Sequence, residues 1–395
     1  ALLAHGELNA AKRNAYVSVA AGAHDRQETV VSFALPADFK GASYALRDTS
    51  GQQIPLQIDS EHNASFVLTL KAGQSKSYQL VARGSKAKAR DGVDFTRRSD
   101  GLDFKINGRN VFTFLTTPAS VPSKEIKPVF LRGGYIHPVI TPSGRVVTDD
   151  YPSDHYHHHG IWFAWTKTEF EGAHPDFWNV GDGTGKVEFE ALDGTWAGPV
   201  FAGFKSRQRY VALTAGASKP ALNEQWEVRL YNVGQATNGK RYYLFDLVAT
   251  QQCASNSPLV LEEYRYGGMG VRGHRDWKDK SKVSFLTSEG KTRETGNATR
   301  ARWLHMSGPV DSEIVGIAVL DHPGNFRSPQ PLRIHPDDPY FNYAPSQLGR
   351  FEIKPGEKYL VRYRYVVADG APDKTELDRL WNDYATPPQV SLELK

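Results

Sequence analysis

The chain has 395 residues, of which 39% are hydrophobic and 23% are charged, a balance that is typical of a folded globular protein and excludes an intrinsically disordered one. The formal net charge is +4, and Lys and Arg are interspersed with acidic residues, so we expect no nucleic-acid partner. No run approaches the roughly 18 apolar residues of a membrane helix, so we expect no membrane partner. The single cysteine, Cys253, excludes internal disulfides and Cys-rich metal sites supplied by this chain.

Two domains are expected, because the length exceeds what one hydrophobic core usually accommodates. The boundary is predicted within residues 83–92, RGSKAKARDG, a polar and basic stretch without apolar periodicity. Residues 1–88 are assigned to a small N-terminal β-sandwich of about six short strands. Residues 89–395 are assigned to a second, larger domain that contains the candidate chemistry.

The larger domain is predicted to be all β. In KVEFEAL (186–192), WEVRLY (226–231) and VRYRYVV (361–367), apolar and polar residues alternate with a period of two, which indicates strands with one buried face. About sixteen such strands are too many for one flat sheet, so we predict a large antiparallel β-sandwich of two stacked sheets.

One helix is predicted, near the C-terminal end. In PDKTELDRLWNDY (372–384), Leu377, Leu380, Trp381 and Tyr384 recur at helical spacing on one face. Asp373, followed three residues later by glutamate, has the form of a capping box.

The densest chemical signal is DHYHHHGIWFAW, residues 154–165, with four histidines within five residues. If this segment is extended, His155, His157 and His159 share one face and His158 lies on the other. Two imidazoles so spaced could bind one divalent metal ion, and Asp149, Asp150 or Asp154 could add an oxygen ligand or orient a ring. The predicted metal ligands are His155, His157 and Asp154. The same spacing suits proton transfer, because imidazole titrates near neutrality. A surface loop of stacked histidines without function is the simpler alternative.

Other clusters supply aromatic, basic and acidic side chains. Trp162 and Trp165 cannot share one face of a strand, so at least one of them is expected in the core. No GxSxG, HExxH or GxGxxG motif is present, and no organic cofactor is expected. Trp faces suit sugar rings, and Arg and His suit an acidic group on a sugar. The candidate substrate-binding residues are Arg272, His274, Arg265, Trp162, Trp165, Asp176, Trp178, His322 and His335.

Several separated motifs carry a family resemblance. They are YIHPVITPSGRVVTDDYPSDHYHHHGIWFAW, YGGMGVRG, ARWLHMSGP, GIAVLDHPGNFRSP and IKPGEKYLVRYRYVVADG, within residues 93–370. In this order they resemble the bacterial PmoA-like family. The inherited label of that family, methane oxygenase, does not suit a chain without predicted transmembrane helices.

The resemblance implies a supersandwich similar to that of galactose mutarotases and many polysaccharide lyases. It also implies a carbohydrate substrate, and hence a periplasmic or secreted location. The positions that match the family motifs are Tyr135, His137, Asp154, His155, His157, His158, His159, Trp165, Asp176, Trp178, Arg272 and His322. Relatives often have Pro and Arg around the histidine run where this chain has Tyr156 and His159, a departure that bears on substrate and metal dependence.

The first functional hypothesis is β-elimination on uronate-containing oligosaccharides, by a lyase or a dehydratase. Such a site must neutralise the carboxylate, with Arg272 or a metal ion, and must place a base on the neighbouring carbon. We predict His157 or His158 as the base and Tyr135 or Tyr266 as the proton donor, with His137 among the catalytic candidates.

Two alternatives remain open. One is different chemistry on a sugar, by a metal-assisted glycoside hydrolase or by an epimerase; in the hydrolase the predicted metal ion would activate water. The other is a glycan-binding module without catalysis, in which Trp162, Trp165 and Trp178 would be stacking faces for sugar rings.

Overall fold

The computed structural model describes residues 15–36, 39, 44–82, 92–118, 120–214 and 217–395. It divides the chain into two compact units, residues 1–90 together with 387–395, and residues 91–386. The predicted boundary falls almost entirely on residues 83–91, which lie outside the described residues. Within the described residues, no helix is both long enough and apolar enough to cross a membrane.

The described part of the chain forms 27 strands and two α-helices. In chain order the strands are β1 Ala15–Ala20, β2 Arg26–Ala34, β3 Tyr44–Arg47, β4 Gln53–Pro55, β5 Gln57–Ile58, β6 Asn63–Leu70, β7 Ser75–Ala82, β8 Val93–Arg97, β9 Gly101–Ile106, β10 Arg109–Leu115, β11 Tyr135–Val139, β12 Ile161–Ala164, β13 Thr168–Glu169, β14 Gly185–Trp196, β15 Phe201–Thr214, β16 Ala217–Tyr231, β17 Tyr242–Cys253, β18 Leu259–Leu261, β19 Gly268–Arg272, β20 Ser284–Thr287, β21 Trp303–Val310, β22 Glu313–Asp321, β23 Leu332–Ile334, β24 Tyr340–Tyr343, β25 Phe351–Ile353, β26 Tyr359–Asp369 and β27 Gln389–Leu394. The helices are α1 Arg293–Gly296 and α2 Lys374–Ala385. Short 3-10 turns span Pro128–Phe130, Val180–Asp182, Arg275–Lys278, Lys280–Lys282 and Pro345–Leu348.

The first unit contains a five-stranded sheet, in the order β27-β1-β7-β3-β4, and a three-stranded sheet, β2-β6-β5. Both sheets contribute to one core, in which Val17, Phe66 and Tyr78 are almost completely buried. The sequence prediction left residues 387–395 in the second domain. The structure differs, because β27 pairs antiparallel with β1, from Ala15 opposite Leu394 to Ala20 opposite Gln389.

The second unit is built around two eight-stranded sheets, in the orders β23-β24-β19-β12-β11-β10-β9-β8 and β14-β15-β16-β17-β26-β22-β21-β20. Aromatic rings from the two sheets pack against each other: Phe114 of β10 stacks on Phe204 of β15 with ring centroids 4.1 Å apart. Phe112 contacts Phe245 of β17 at 4.9 Å. The all-β sandwich prediction is confirmed, because side chains that alternate along these strands fill one shared core.

The predicted C-terminal helix is α2. Asp373 caps its first turn, since its carboxylate accepts a hydrogen bond from the backbone N–H of Glu376 at 3.1 Å. The Glu376 side chain bonds Arg379 and Thr237, so the reciprocal half of the predicted capping box is replaced by contacts within the helix and to a neighbouring loop. Leu377 and Leu380 are buried, as the spacing predicts.

Four adjacent strands bring the separated motifs together. In one sheet β11 pairs with β12, β12 with β19, and β19 with β24. Successive side chains of β12 point to opposite faces, so Phe163 enters the core between the sheets while Trp162 joins a second aromatic cluster. That second cluster also contains Tyr135, Trp178 and Tyr340, and it underlies the histidine run.

Candidate functional site

The histidine run is a pair of turns. The backbone N–H of His155 donates to the carbonyl of Pro152 at 2.9 Å, and the N–H of His158 donates to the carbonyl of His155 at 2.8 Å. The segment is therefore not extended, and the arrangement of alternating faces considered for an extended segment does not apply. Since residues three apart meet in such turns, His155 stacks on His158 with ring centroids 4.7 Å apart and an interplanar angle of 10°. His157 contacts His158 edge-on.

His158 is buried among aromatic rings and has only 1% of its surface exposed. Its ring lies 4.6 Å from Tyr340 and 4.9 Å from Trp162. Burial, together with the neighbouring His157 and Arg272, lowers the pKa of His158 well below its usual value. The ring of His158 is packed among protein rings and does not line the cleft described below, whereas His157 and His159 do.

Arg272 is also buried, with 1% of its surface exposed. Its Nη2 lies 3.3 Å from Oδ1 of Asp154, and its Nη1 lies 3.4 Å from Nδ1 of His158. The guanidinium therefore links Asp154 to His158 and stabilises the histidine turns. This placement contradicts the prediction that Arg272 binds a substrate carboxylate directly.

The three tryptophans predicted as stacking faces are buried. Trp162 and Trp178 pack together with ring centroids 4.9 Å apart in the second aromatic cluster. Trp165 lies in the main core and donates its indole N–H to Oε1 of Gln251 at 2.8 Å. Because all three side chains are at most 2% exposed, the sugar-platform interpretation is wrong for Trp162 and Trp165. Trp178 is one of the residues that line the cleft described below.

Asp150, one of three aspartates that the sequence suggested could orient a histidine ring, links two buried rings in a hydrogen-bonded chain. Nδ1 of His159 lies 2.7 Å from Oδ1 of Asp150, and the hydroxyl of Tyr135 donates to Oδ2 of the same carboxylate at 2.7 Å. An Nδ1–H donor to Asp150 leaves Nε2 of His159 with the lone pair that a general base needs. Burial lowers the pKa of His159, and the bond to Asp150 opposes that shift.

In the sequence, Asp150 and His159 both lie in the segment TDDYPSDHYHHH, residues 148–159. Asp150 and His159 face each other as an isolated antiparallel bridge, and the intervening residues make the turns. Tyr135 was predicted as a proton donor to the leaving group. In the structure its hydroxyl bonds Asp150 and its ring is 1% exposed, so Tyr135 is a positioning residue.

A cleft of about 520 Å³ opens beside this chain. His157 and His159 line it together with Lys186 and Glu188, which form an ion pair, and its other walls are largely apolar. Burial and the adjacent histidines lower the pKa of His157 to about 3, so His157 is neutral at physiological pH. A base of that pKa is weak, and His159 with its carboxylate partner is the better candidate.

A second group of side chains in the described residues could hold a metal ion. His155, His335 and Asp338 each offer one ligand atom, and these atoms lie within 4.8 Å of one another. His155 belongs to the predicted ligand set. His157, also predicted, lines the cleft, and Asp154 pairs with Arg272. His335, predicted as substrate-binding, is a ligand candidate in this geometry.

The Asp154 and Asp338 carboxylates influence each other. Burial would raise the pKa of Asp154, but Arg272 and a hydrogen bond with Asp338 lower it to about 2. Burial and the proximity of Asp154 raise the pKa of Asp338.

His137, Tyr266 and Asp176 are not among the residues that line the cleft, and each makes hydrogen bonds within the protein. Nδ1 of His137 lies 2.9 Å from the Thr148 hydroxyl. Tyr266 accepts a hydrogen bond from Asn179 at 3.0 Å, and burial raises its pKa to about 12. Asp176 accepts from the backbone N–H groups of residues 178 and 179 and so shapes a turn.

Three further predicted residues are not brought to the cleft. His274 caps a 3-10 turn by accepting the N–H of residue 276 at 3.2 Å. His322 accepts the N–H of residue 324 and packs against the ring of Tyr384. Arg265 lies over the rings of Tyr264 and Tyr266.

The fold and the site together define an all-β sandwich protein with a histidine-lined cleft. Residues 101–382 match the DUF6807 family, a family of unknown function, and because this match spans more than half of the chain, the protein belongs to that family. No curated protein matches the chain. The family has no known activity, so the function is argued from the site.

Proposed function

We propose that the protein is a carbohydrate-active enzyme that abstracts a proton from an acidic sugar and eliminates the neighbouring oxygen substituent, as a lyase or a dehydratase. The observation that supports this proposal is the Tyr135–Asp150–His159 chain at the wall of the cleft. The PmoA-like resemblance, with its implied relation to the folds of mutarotases and polysaccharide lyases, favours a sugar as substrate. A fold alone does not select a reaction.

In the proposed step, Nε2 of His159 removes the proton from the carbon next to the carboxylate. The electron pair of that C–H bond forms the new C=C bond, and the C–O bond to the leaving group breaks. His159 then returns the proton to the departing oxygen, so one residue serves as base and acid. Asp150 holds Nδ1–H and stabilises the imidazolium that forms between the two transfers.

The carboxylate partner in this scheme is Lys186, because Arg272 is enclosed. Lys186 lines the cleft, and its side chain is 43% exposed. Its present partner, Glu188, has a similarly exposed side chain, so a substrate carboxylate can compete for the ammonium group.

The test is mass spectrometry of neutral and uronate-containing oligosaccharides after incubation with the protein. Loss of one water from an intact oligosaccharide identifies a dehydratase, and cleavage without uptake of water identifies a lyase. The matched variants are His159→Gln and, as control, the exposed His174→Gln. If uronate substrates keep their mass, or if His159→Gln turns them over like the control, the proposal fails.

A metal-assisted hydrolase is the second candidate, because His155, His335 and Asp338 could hold an ion that activates water. It predicts cleavage with a gain of one water, and loss of that cleavage in the presence of a chelator. Elimination at His159 predicts neither result.

A further inference from the structure

The nitrogen Nδ1 of His155 is buried and has no hydrogen-bond partner among the described residues. It lies 3.6 Å from Oδ2 of Asp338 and 3.7 Å from Oδ1 of Asp154. These separations are too long for hydrogen bonds. They agree with two ligands on one cation, since ligand atoms about 2.1 Å from a tetrahedral ion are about 3.4 Å apart.

His335 approaches the same carboxylate from a second turn. Its Nδ1 lies 3.1 Å from Oδ2 of Asp338. The same nitrogen accepts the backbone N–H of Asp338 at 2.9 Å and that of Asp337 at 3.3 Å. Both bonds use the lone pair of Nδ1, so a metal ion bound through this nitrogen would replace the two backbone hydrogen bonds.

The charges around Asp338 leave it available to a cation. In the described part of the chain its ion-pair partners are His155 and His335, whereas the Arg272 guanidinium and the Lys278 ammonium approach Asp154. The side chains of His155 and His335 are 30% and 20% exposed, so an ion can reach them from solvent.

We propose that His155, His335 and Asp338 form a binding site for one divalent transition-metal cation of the zinc class. Two imidazoles favour such an ion over calcium or magnesium, which prefer oxygen ligands. Three protein ligands leave one position of a tetrahedral ion for water or a further oxygen ligand. The ion would join the turn at 152–158 to the turn at 335–338. The proposed metal site does not rest on the proposed elimination reaction, and metal binding can be measured without substrate.

The test is isothermal titration of the chelator-treated protein with Zn²⁺, with metal analysis of the product. Wild type is expected to take up one equivalent. His335→Ala and Asp338→Asn are expected to weaken binding by about tenfold or more. The matched control is Asp337→Asn, whose side chain is 66% exposed and pairs with Lys280; it should bind like wild type.

Two further readouts separate this site from scattered surface binding and from a folding defect. Zn²⁺ should raise the melting temperature of wild type and Asp337→Asn but not that of Asp338→Asn, since a ligand stabilises only the state that binds it. Co²⁺ should give a visible absorption band that is lost in Asp338→Asn. The proposal is overturned if wild type binds no Zn²⁺, or if His335→Ala and Asp338→Asn bind it as tightly as the control.

Discussion

Nδ1 of His159 lies 2.7 Å from the carboxylate of Asp150, which also receives the hydroxyl of Tyr135. A carboxylate in this position fixes the imidazole tautomer and favours the charged imidazole during proton transfer. We expect His159→Gln to lower turnover by about 10²–10⁴-fold without loss of folding. Asp150→Asn should have a smaller effect of the same kind. The measurement is the rate of product formation at saturating substrate, with His174→Gln as the control.

Lys186 should determine the preference for acidic substrates. Lys186→Met is expected to lower kcat/KM for uronate oligosaccharides by about tenfold or more, since a hydrogen bond to a charged group contributes roughly 1.5–3 kcal/mol. Any turnover of neutral sugars should change little. Lys219→Met, an exposed lysine paired with Glu171, is the control. Equal losses on neutral and acidic sugars would contradict the role of Lys186.

Arg272 should be important for stability, because removing its guanidinium takes the buried cation away from Asp154 and His158. Arg272→Met is expected to lower the free energy of unfolding by about 3 kcal/mol, as expected when one partner of a buried ion pair is removed. Urea denaturation measures this change. Arg207→Met removes an exposed pair with Asp193 and should leave the midpoint nearly unchanged. An Arg272 variant as stable as wild type would refute the structural role.

His305 should make the fold sensitive to acid. It is 5% exposed, its Nδ1 has no hydrogen-bond partner among the described residues, and burial lowers its pKa to about 4. Below its unfolded pKa near 6.5 the unfolded chain binds a proton that the folded chain does not, so stability falls as the pH falls. His305→Phe should reduce the loss of stability between pH 7.5 and pH 5 by about 2 kcal/mol. Urea denaturation at both pH values checks this, and an unchanged pH dependence would contradict it.

Glu224 should make the fold less stable as the pH rises, which is the opposite of the pH dependence expected from His305. It lies in a polar row across β15, β16 and β17, where Gln251 donates to its Oε1 at 2.7 Å, and burial raises its pKa to about 7. The folded chain keeps this proton at pH values where the unfolded chain loses it, so stability falls as the pH rises from about 4.5 through 7. Glu224→Gln should be stabilising at pH 8, and by about 2 kcal/mol more there than at pH 5. Equal effects at the two pH values would show that Glu224 titrates normally.

The period-two alternation predicted the sandwich correctly, because KVEFEAL and WEVRLY keep one face apolar over whole strands. The same alternation failed at the histidine run, where local backbone bonds from Pro152 to His155 and from His155 to His158 form turns. The residue types in the sequence also did not show which of these side chains are buried. Trp162 and Trp165 lie in two different cores of one domain, whereas the sequence required only one of them to be buried.

Asp150 and Asp338 have roles in the site that depend on pairing across the fold. Nothing local to Asp150 distinguishes it from Asp149, yet only its bridge to His159 directs the carboxylate at that ring. Asp338 was missed because it meets His155 across 183 positions of sequence (338 minus 155). His155 and His335 were recognised as chemical candidates from their residue type, but their partners required the fold.

The pairing of β1 with β27 has a consequence for biosynthesis. During synthesis β1 leaves the ribosome before β27, and its edge stays without this partner until residues 389–394 have been made. An unpaired edge of this kind can recruit the strand of another chain. The first domain is therefore completed only after the polypeptide of the second has emerged, although most of its own strands are synthesised earlier. For a fusion or truncation, the tail after residue 386 belongs with the beginning of the chain, and an isolated N-terminal fragment would lack one strand of its sheet.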